Sequence, residues 1–167
     1  MTNPPRAAGA LLAGALTAVL AGCGGGSSSA ADAPPDVTVT AGPQEVAVSP
    51  TQYCGSGEGR RYDVRPPLVE VSPDTAIALT VPDDVAANGW SVQVFDGSLE
   101  EKLGEVDVDA GTTTFDGINS SDVVPPAYYL VVVEDAHDDC LLTGSWPIGF
   151  LRAGGEIGTD PTATPGG

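Results

Sequence analysis

The sequence predicts an all-β fold, an immunoglobulin-like β-sandwich of about 7–9 short strands. Three observations lead there. Short runs alternate apolar and polar residues at a period of two, turn dipeptides recur between them, and a single short stretch has a helical pattern. Apolar residues make up 41% of the chain, enough for a core.

In chain order, Val37-Thr38-Val39-Thr40 alternates, and Glu45-Val46-Ala47-Val48 follows across a Gly42-Pro43 turn. Leu68-Val69-Glu70-Val71 leads through Ser72-Pro73-Asp74 into Ile77-Ala78-Leu79-Thr80-Val81. Asp83 to Asn88 is the helical candidate, one or two turns ended by Gly89. Trp90-Ser91-Val92-Gln93-Val94-Phe95 is the clearest strand, with Trp90, Val92 and Val94 on one face. Asp96-Gly97 and Lys102-Leu103-Gly104 read as turns before Glu105-Val106-Asp107-Val108-Asp109. Thr112 to Phe115 precedes another turn dipeptide, Asp116-Gly117. Tyr128 to Val133 is apolar on both faces, which suits the centre of a sheet. Leu141-Leu142 and then Trp146, Ile148 and Phe150 form the last strand. Pro147 cannot donate to a ladder, so an edge or a bulge is expected there.

Ahead of this body, Leu20-Ala21-Gly22-Cys23 closes an apolar stretch that begins near Ala7 and follows Arg6. A small-residue pair and a cysteine after such a stretch resemble the lipobox of bacterial lipoproteins. The resemblance implies cleavage before Cys23, a diacylglyceryl group on its sulfur, and an extracytoplasmic domain tethered to the membrane. The apolar stretch reaches roughly 15 residues, short of the ~20 that a spanning helix needs. An ordinary signal peptide with a free Cys23, or a short uncleaved anchor, are the alternatives. The expected organisation is a signal peptide over 1–22, a flexible tether over 23–36, the sandwich over 37–152 and a disordered tail over 153–167.

The lipobox would consume one of the three cysteines, leaving Cys54 and Cys140. In an oxidising compartment these pair in the one way open to them, closing a loop of roughly 85 residues. Two unpaired thiols are the alternative. Trp90 on a central strand together with a cysteine pair suits an immunoglobulin-like core, but Cys54 lies too far before Trp90 for the usual inter-sheet bridge. The disulfide is therefore expected to staple the turn-rich Tyr53 to Gly59 segment to the end of the Tyr128 strand or the start of the Leu141 strand.

The order of features is similar to an uncharacterised family of actinobacterial lipoproteins, one of the domain-of-unknown-function families. The features are a lipobox, a Val-Thr-Val-Thr strand, Gln52-Tyr53-Cys54, a Val-Pro-Asp-Asp-Val-Ala turn into Trp90, and a closing Trp146-Pro147-Ile148 strand. The similarity covers roughly Val37 to Leu151. It implies a location and a fold, and carries no assigned activity.

The chain holds 23 Asp and Glu against 6 Lys and Arg, for a net charge of −17, and every acid lies after residue 31. Such a surface repels nucleic acid and anionic headgroups, which excludes nucleic-acid binding. Asp107 and Asp109, with Asp116 nearby, place carboxylates as calcium loops do. Position 12 counted from Asp107 is Ile118, however, where an EF-hand needs glutamate. In a strand the same spacing merely turns Asp107 and Asp109 to solvent, with Val106 and Val108 inward. His137, the sole histidine, sits among Glu134, Asp135, Asp138 and Asp139, as a metal corner would have it or as a polar hairpin loop would. A hydrolytic triad could be built only around that histidine, and no G-x-S-x-G elbow is present. Gly55 to Gly59 before Arg60-Arg61 lacks the lysine and the helix of a phosphate loop.

The expectation is a lipid-anchored, extracytoplasmic lipoprotein of the cell membrane, with no enzymatic activity and no cofactor. It would act as a binding or accessory module for an envelope protein, a wall polymer or a small ligand. A calcium-dependent interaction domain using Asp107, Asp109 and Asp116 is the alternative, and an envelope hydrolase the remoter one.

Overall fold

The Gly42-Pro43 pair turns the chain between β1 (Val37–Ala41) and β2 (Gln44–Val48), and Gly42 sits at a φ of 56°, a region glycine enters without penalty. The hairpin pairs Ala41 with Gln44 and Val37 with Val48. Along β1 the valines and Ala41 are buried and the threonines half-buried, as period-two alternation requires. The structure, a computed structural model, describes residues 33–55, 58–136, 140 and 142–152. The expected signal peptide, Cys23 and most of the expected tether thus lie outside the described residues, as does the tail expected from 153.

Nine further strands and one helix follow. They are β3 (Gln52–Tyr53), β4 (Arg60–Arg61), β5 (Leu68–Glu70), β6 (Ala76–Thr80), α1 (Asp83–Asn88), β7 (Trp90–Asp96), β8 (Lys102–Val108), β9 (Thr114–Asn119), β10 (Ala127–Glu134) and β11 (Ser145–Leu151). One sheet has the order β2-β1-β6-β9. The other runs β4-β3-β11-β10-β7-β8, with β5 beside β11. Every pairing is antiparallel except that of β5 with β11. With β1, β6 and β9 in one sheet and β11, β10, β7 and β8 in the other, the chain is a β-sandwich with immunoglobulin-like strand order. The described strands number eleven against the 7–9 expected, because two-residue β3 and β4 are too short to show a period.

The core lies between the sheets. Val39, Ile77 and Leu79 enter from the smaller sheet, and Trp90, Val92, Leu130, Ile148 and Phe150 from the larger. Each buried tryptophan also pins a neighbouring segment. Trp90 Nε1 donates to the Thr112 carbonyl at 2.7 Å, and Trp146 Nε1 to the Pro35 carbonyl at 2.8 Å. A buried indole N–H finds a partner this way, since leaving it unmet costs about 1–3 kcal/mol. Six residues of helix are marginal alone, and α1 is held by burying Val85 and Ala86. Gly89, at a φ of 88°, ends it.

The edge or bulge expected at Pro147 is not found. β11 is interior, with β10 on one side and β3 and β5 on the other. On that other side Ser145 accepts from Thr51 N and Gly149 donates to Pro67 O, both at 2.9 Å. Pro147 has the same parity as those two residues, so its nitrogen faces the gap between β3 and β5, where no ladder bond is lost.

Candidate functional site

β8 and β9 are the last strands of their two sheets, and each carries a register shift. Along β7 and β8 the pairing runs from Trp90 with Val108 to Val94 with Gly104, and then Phe95 meets Lys102. Leu103 is thus an additional residue. The shift sets Lys102 on the same outward face as Glu105, and their Nζ and Oε2 lie 2.7 Å apart. Lys102 first, and then Gln93, holds the Glu105 carboxyl below its ordinary pKa by hydrogen bonding. In β9, Phe115 pairs with Leu79 and Ile118 with Ile77. Both ring and alkyl chain therefore turn inward, with Asp116 and Gly117 between them. Bulges bend and twist the strand that carries them, and two on facing terminal strands keep this side of the sandwich open.

The opening is an apolar groove of about 470 Å³. Val92 and Val94 of β7 form its floor, Gly104 and Val106 of β8 one wall, and Gly117 and Ile118 of β9 the other. Val123 and Val124, beyond β9, close one end. Val106 faces the same side as the core residues of β7, yet it is 42% exposed, as is Leu103, and Val124 is 91% exposed. The Arg152 guanidinium holds the segment by donating from Nη2 to the carbonyls of Val123, Val124 and Pro125. Asp122 is the charged residue in the lining, and its carboxylate also accepts from Asn119 N at 2.7 Å. A Cβ built on Gly104 would meet nothing within 4 Å, so the groove is open at that point.

Residues 30–137 match the family described as Protein of unknown function (DUF2771). The chain belongs to the DUF2771 family. The match takes in β7, β8, β9 and every residue that lines the groove, while β11 lies beyond it. No curated protein and no solved structure matches this DUF2771 chain.

A second concavity, about 360 Å³, lies on the outer face of the larger sheet beside Phe95, Val131, Val133 and Pro147. A buried polar cluster gathers where β10 ends. Glu134 is 2% exposed and accepts from Asn88 Nδ2 at 2.7 Å. Tyr53 lies 5.8 Å from the Trp146 ring, and burial, followed by the charges of Glu134 and Asp84, raises its pKa. The disulfide joins Cys54 and Cys140, as expected from the cysteine arithmetic. It staples the segment after β3 to the β10–β11 connection within one sheet, and does not cross the core.

The sequence-derived candidates are scattered. Asp107 is exposed on β8, Asp109 follows that strand, and Asp116 sits in the β9 bulge. Among the described residues no group of three or more His, Cys, Asp or Glu is placed to hold a metal ion. His137, Asp138 and Asp139 lie outside the described residues, as does the lipidation candidate Cys23. Lys102 to Gly104 and Asp116-Gly117 are strand bulges where turns were expected, because an additional residue breaks the alternation that marks a strand. Glu134, expected to open a polar loop, is the buried end of β10. Sequence reasoning missed the groove residues Leu103, Gly104, Gly117 and Val124. For Leu103 and Gly104 the one signal is a leucine and a glycine ahead of an alternating acidic run, and Gly117 and Val124 carry none.

Proposed function

We propose that this DUF2771 protein is a membrane-anchored extracytoplasmic lipoprotein whose sandwich serves as a non-catalytic binding or accessory module of the cell envelope. The observation that carries the binding role is the open apolar groove between β8 and β9. Ligand sites are concave, mostly apolar and about 300–1,000 Å³ in volume, with a few polar groups to orient the occupant. The anchoring half rests on the Leu20-Ala21-Gly22-Cys23 sequence, where cysteine follows small residues after an apolar stretch. Among the described residues no helix is long and apolar enough to cross a membrane. Two acyl chains at Cys23 would supply durable attachment, since each buried methylene contributes about 0.8 kcal/mol.

One experiment addresses each half. A photoreactive residue in place of Val124, irradiated in intact cells, should form a discrete adduct. That adduct should vanish when Gly104→Trp fills the groove. No adduct, or one indifferent to Gly104→Trp, would end the binding reading. Cys23→Ser should release the protein to the soluble fraction, and full retention on membranes would refute lipid attachment.

A further inference from the structure

We propose that the groove takes an extended segment of a partner protein in which apolar side chains alternate with lysine or arginine, laid along the free edge of β8. The proposal rests on the binding-module reading and names the chemistry of what is bound.

β8 ends its sheet, and among the described residues no strand lies on its far side. A terminal strand presents unpaired N–H and C=O groups, which an added strand can satisfy while its side chains alternate into a pocket. β8 supplies both components. Its far edge is open, and Leu103 and Val106 stand half-exposed beside the groove that Val92 and Val94 floor.

Charge then selects the occupant. Glu105 and Asp107 lie on the outer face of β8, Glu100 and Glu101 precede it, and Asp122 lines the groove. The strand's one cation, Lys102, is already engaged by Glu105 at 2.7 Å. A second copy of this chain, with the same net charge of −17, would set carboxylates against carboxylates along that edge. Anionic headgroups meet the same repulsion. A segment with apolar residues on one face and cations on the other satisfies both the groove and the acidic outer face. Bulges and edge charges are the devices that keep terminal strands from indiscriminate pairing, so the acids act here as a filter for basic partners.

The test titrates the purified full-length protein with a short, end-blocked peptide alternating lysine and valine, read by amide NMR. Shifts should concentrate at Leu103, Val106, Gly117 and Val124, and binding should weaken as salt rises. A matched glutamate–valine peptide should bind about tenfold more weakly or worse, as like-charge juxtaposition demands. Gly104→Trp should abolish binding without lowering the melting temperature, because a Cβ at that position meets nothing within 4 Å and the ring enters the open groove. Val106→Asp, at an exposed position, provides a second block should the tryptophan disturb folding. Equal binding of both peptides, shifts elsewhere on the sandwich, or no binding of the basic peptide would each overturn the inference. If the Val124 photoadduct forms in cells and proves to be lipid or glycan, the inference falls and the binding module stands. If no adduct forms either, both fall.

Discussion

Asn88, the last residue of α1, donates from Nδ2 to Glu134 Oε1 at 2.7 Å, and so ties the helix to the buried end of β10 across 46 residues of sequence. Glu134 is 2% exposed, and a buried carboxylate that loses one of its donors is less well compensated for its desolvation. Asn88→Ala should therefore destabilise the protein by about 1–3 kcal/mol in chemical denaturation. Asn88→Asp should cost more, since it sets a second carboxylate against the first. A loss within the ±0.5 kcal/mol typical of inert surface substitutions would show that the bond contributes nothing.

Gly144 lies against the same cluster. A Cβ there would run into the Trp146 ring and come within 2.8 Å of Glu134 Oε2. Neither neighbour is free to yield, because Trp146 is fully buried and its N–H is committed to the Pro35 carbonyl. Gly144→Ala should cost about 1–3 kcal/mol, the range for overpacking a filled interior. Unchanged unfolding would mean that β11 can shift away from the helix side without loss.

The strands that could be read in advance are those whose side chains alternate without interruption. Val37 to Thr40 and Trp90 to Phe95 are such runs, and Tyr128 to Val133 declared itself by being apolar on both faces. The groove stayed hidden for the converse reason. Its walls are built from bulges, and a bulge inserts a residue that makes a strand look like a turn. Leu103-Gly104 and Asp116-Gly117 carry the composition of turns and the backbone of strands. What opens the sandwich is thus what erased the strand signal. Glu134 was misread for a different reason. Its neighbours in sequence are acids, whereas its neighbours in space are Asn88, Gly144 and the Trp146 ring.

The disulfide between Cys54 and Cys140 spans a sequence separation of 86, so it restrains most of the body in the unfolded chain. The chain-entropy estimate for such a loop is on the order of 4 kcal/mol. That is a large share of the roughly 5–15 kcal/mol by which domains are usually stable. Replacing both cysteines with alanine should lower the melting temperature by about 10 °C or more, and reduction of the wild type should do the same. Equal melting temperatures with and without reductant, with free thiols verified, would show that the staple adds little to equilibrium stability.

Tyr128 offers a prediction of opposite sign. Its ring stacks on Phe150 at a centroid distance of 5.4 Å, it is fully buried, and its hydroxyl has no hydrogen-bond partner among the described residues. Burial pushes the hydroxyl pKa up to about 12, with the Asp122 carboxylate adding to the rise and Arg152 opposing it. The folded pKa exceeds the unfolded value of 10.0, so the neutral hydroxyl's contribution is fully present below about pH 10 and is lost as pH rises toward 12. Alkaline unfolding should accordingly steepen across that window, together with the last tyrosinate absorbance step. Tyr128→Phe keeps the ring and its stacking while removing a polar group that has no partner to lose. Such a replacement is close to neutral or stabilising, by up to about 1 kcal/mol. It should also remove the highest tyrosinate step and flatten the alkaline limb of the stability profile. A variant destabilised by more than that would show that the hydroxyl is held in solution, through a bridging water or a rearranged Arg152, and that its bond is part of what fixes the segment closing the groove.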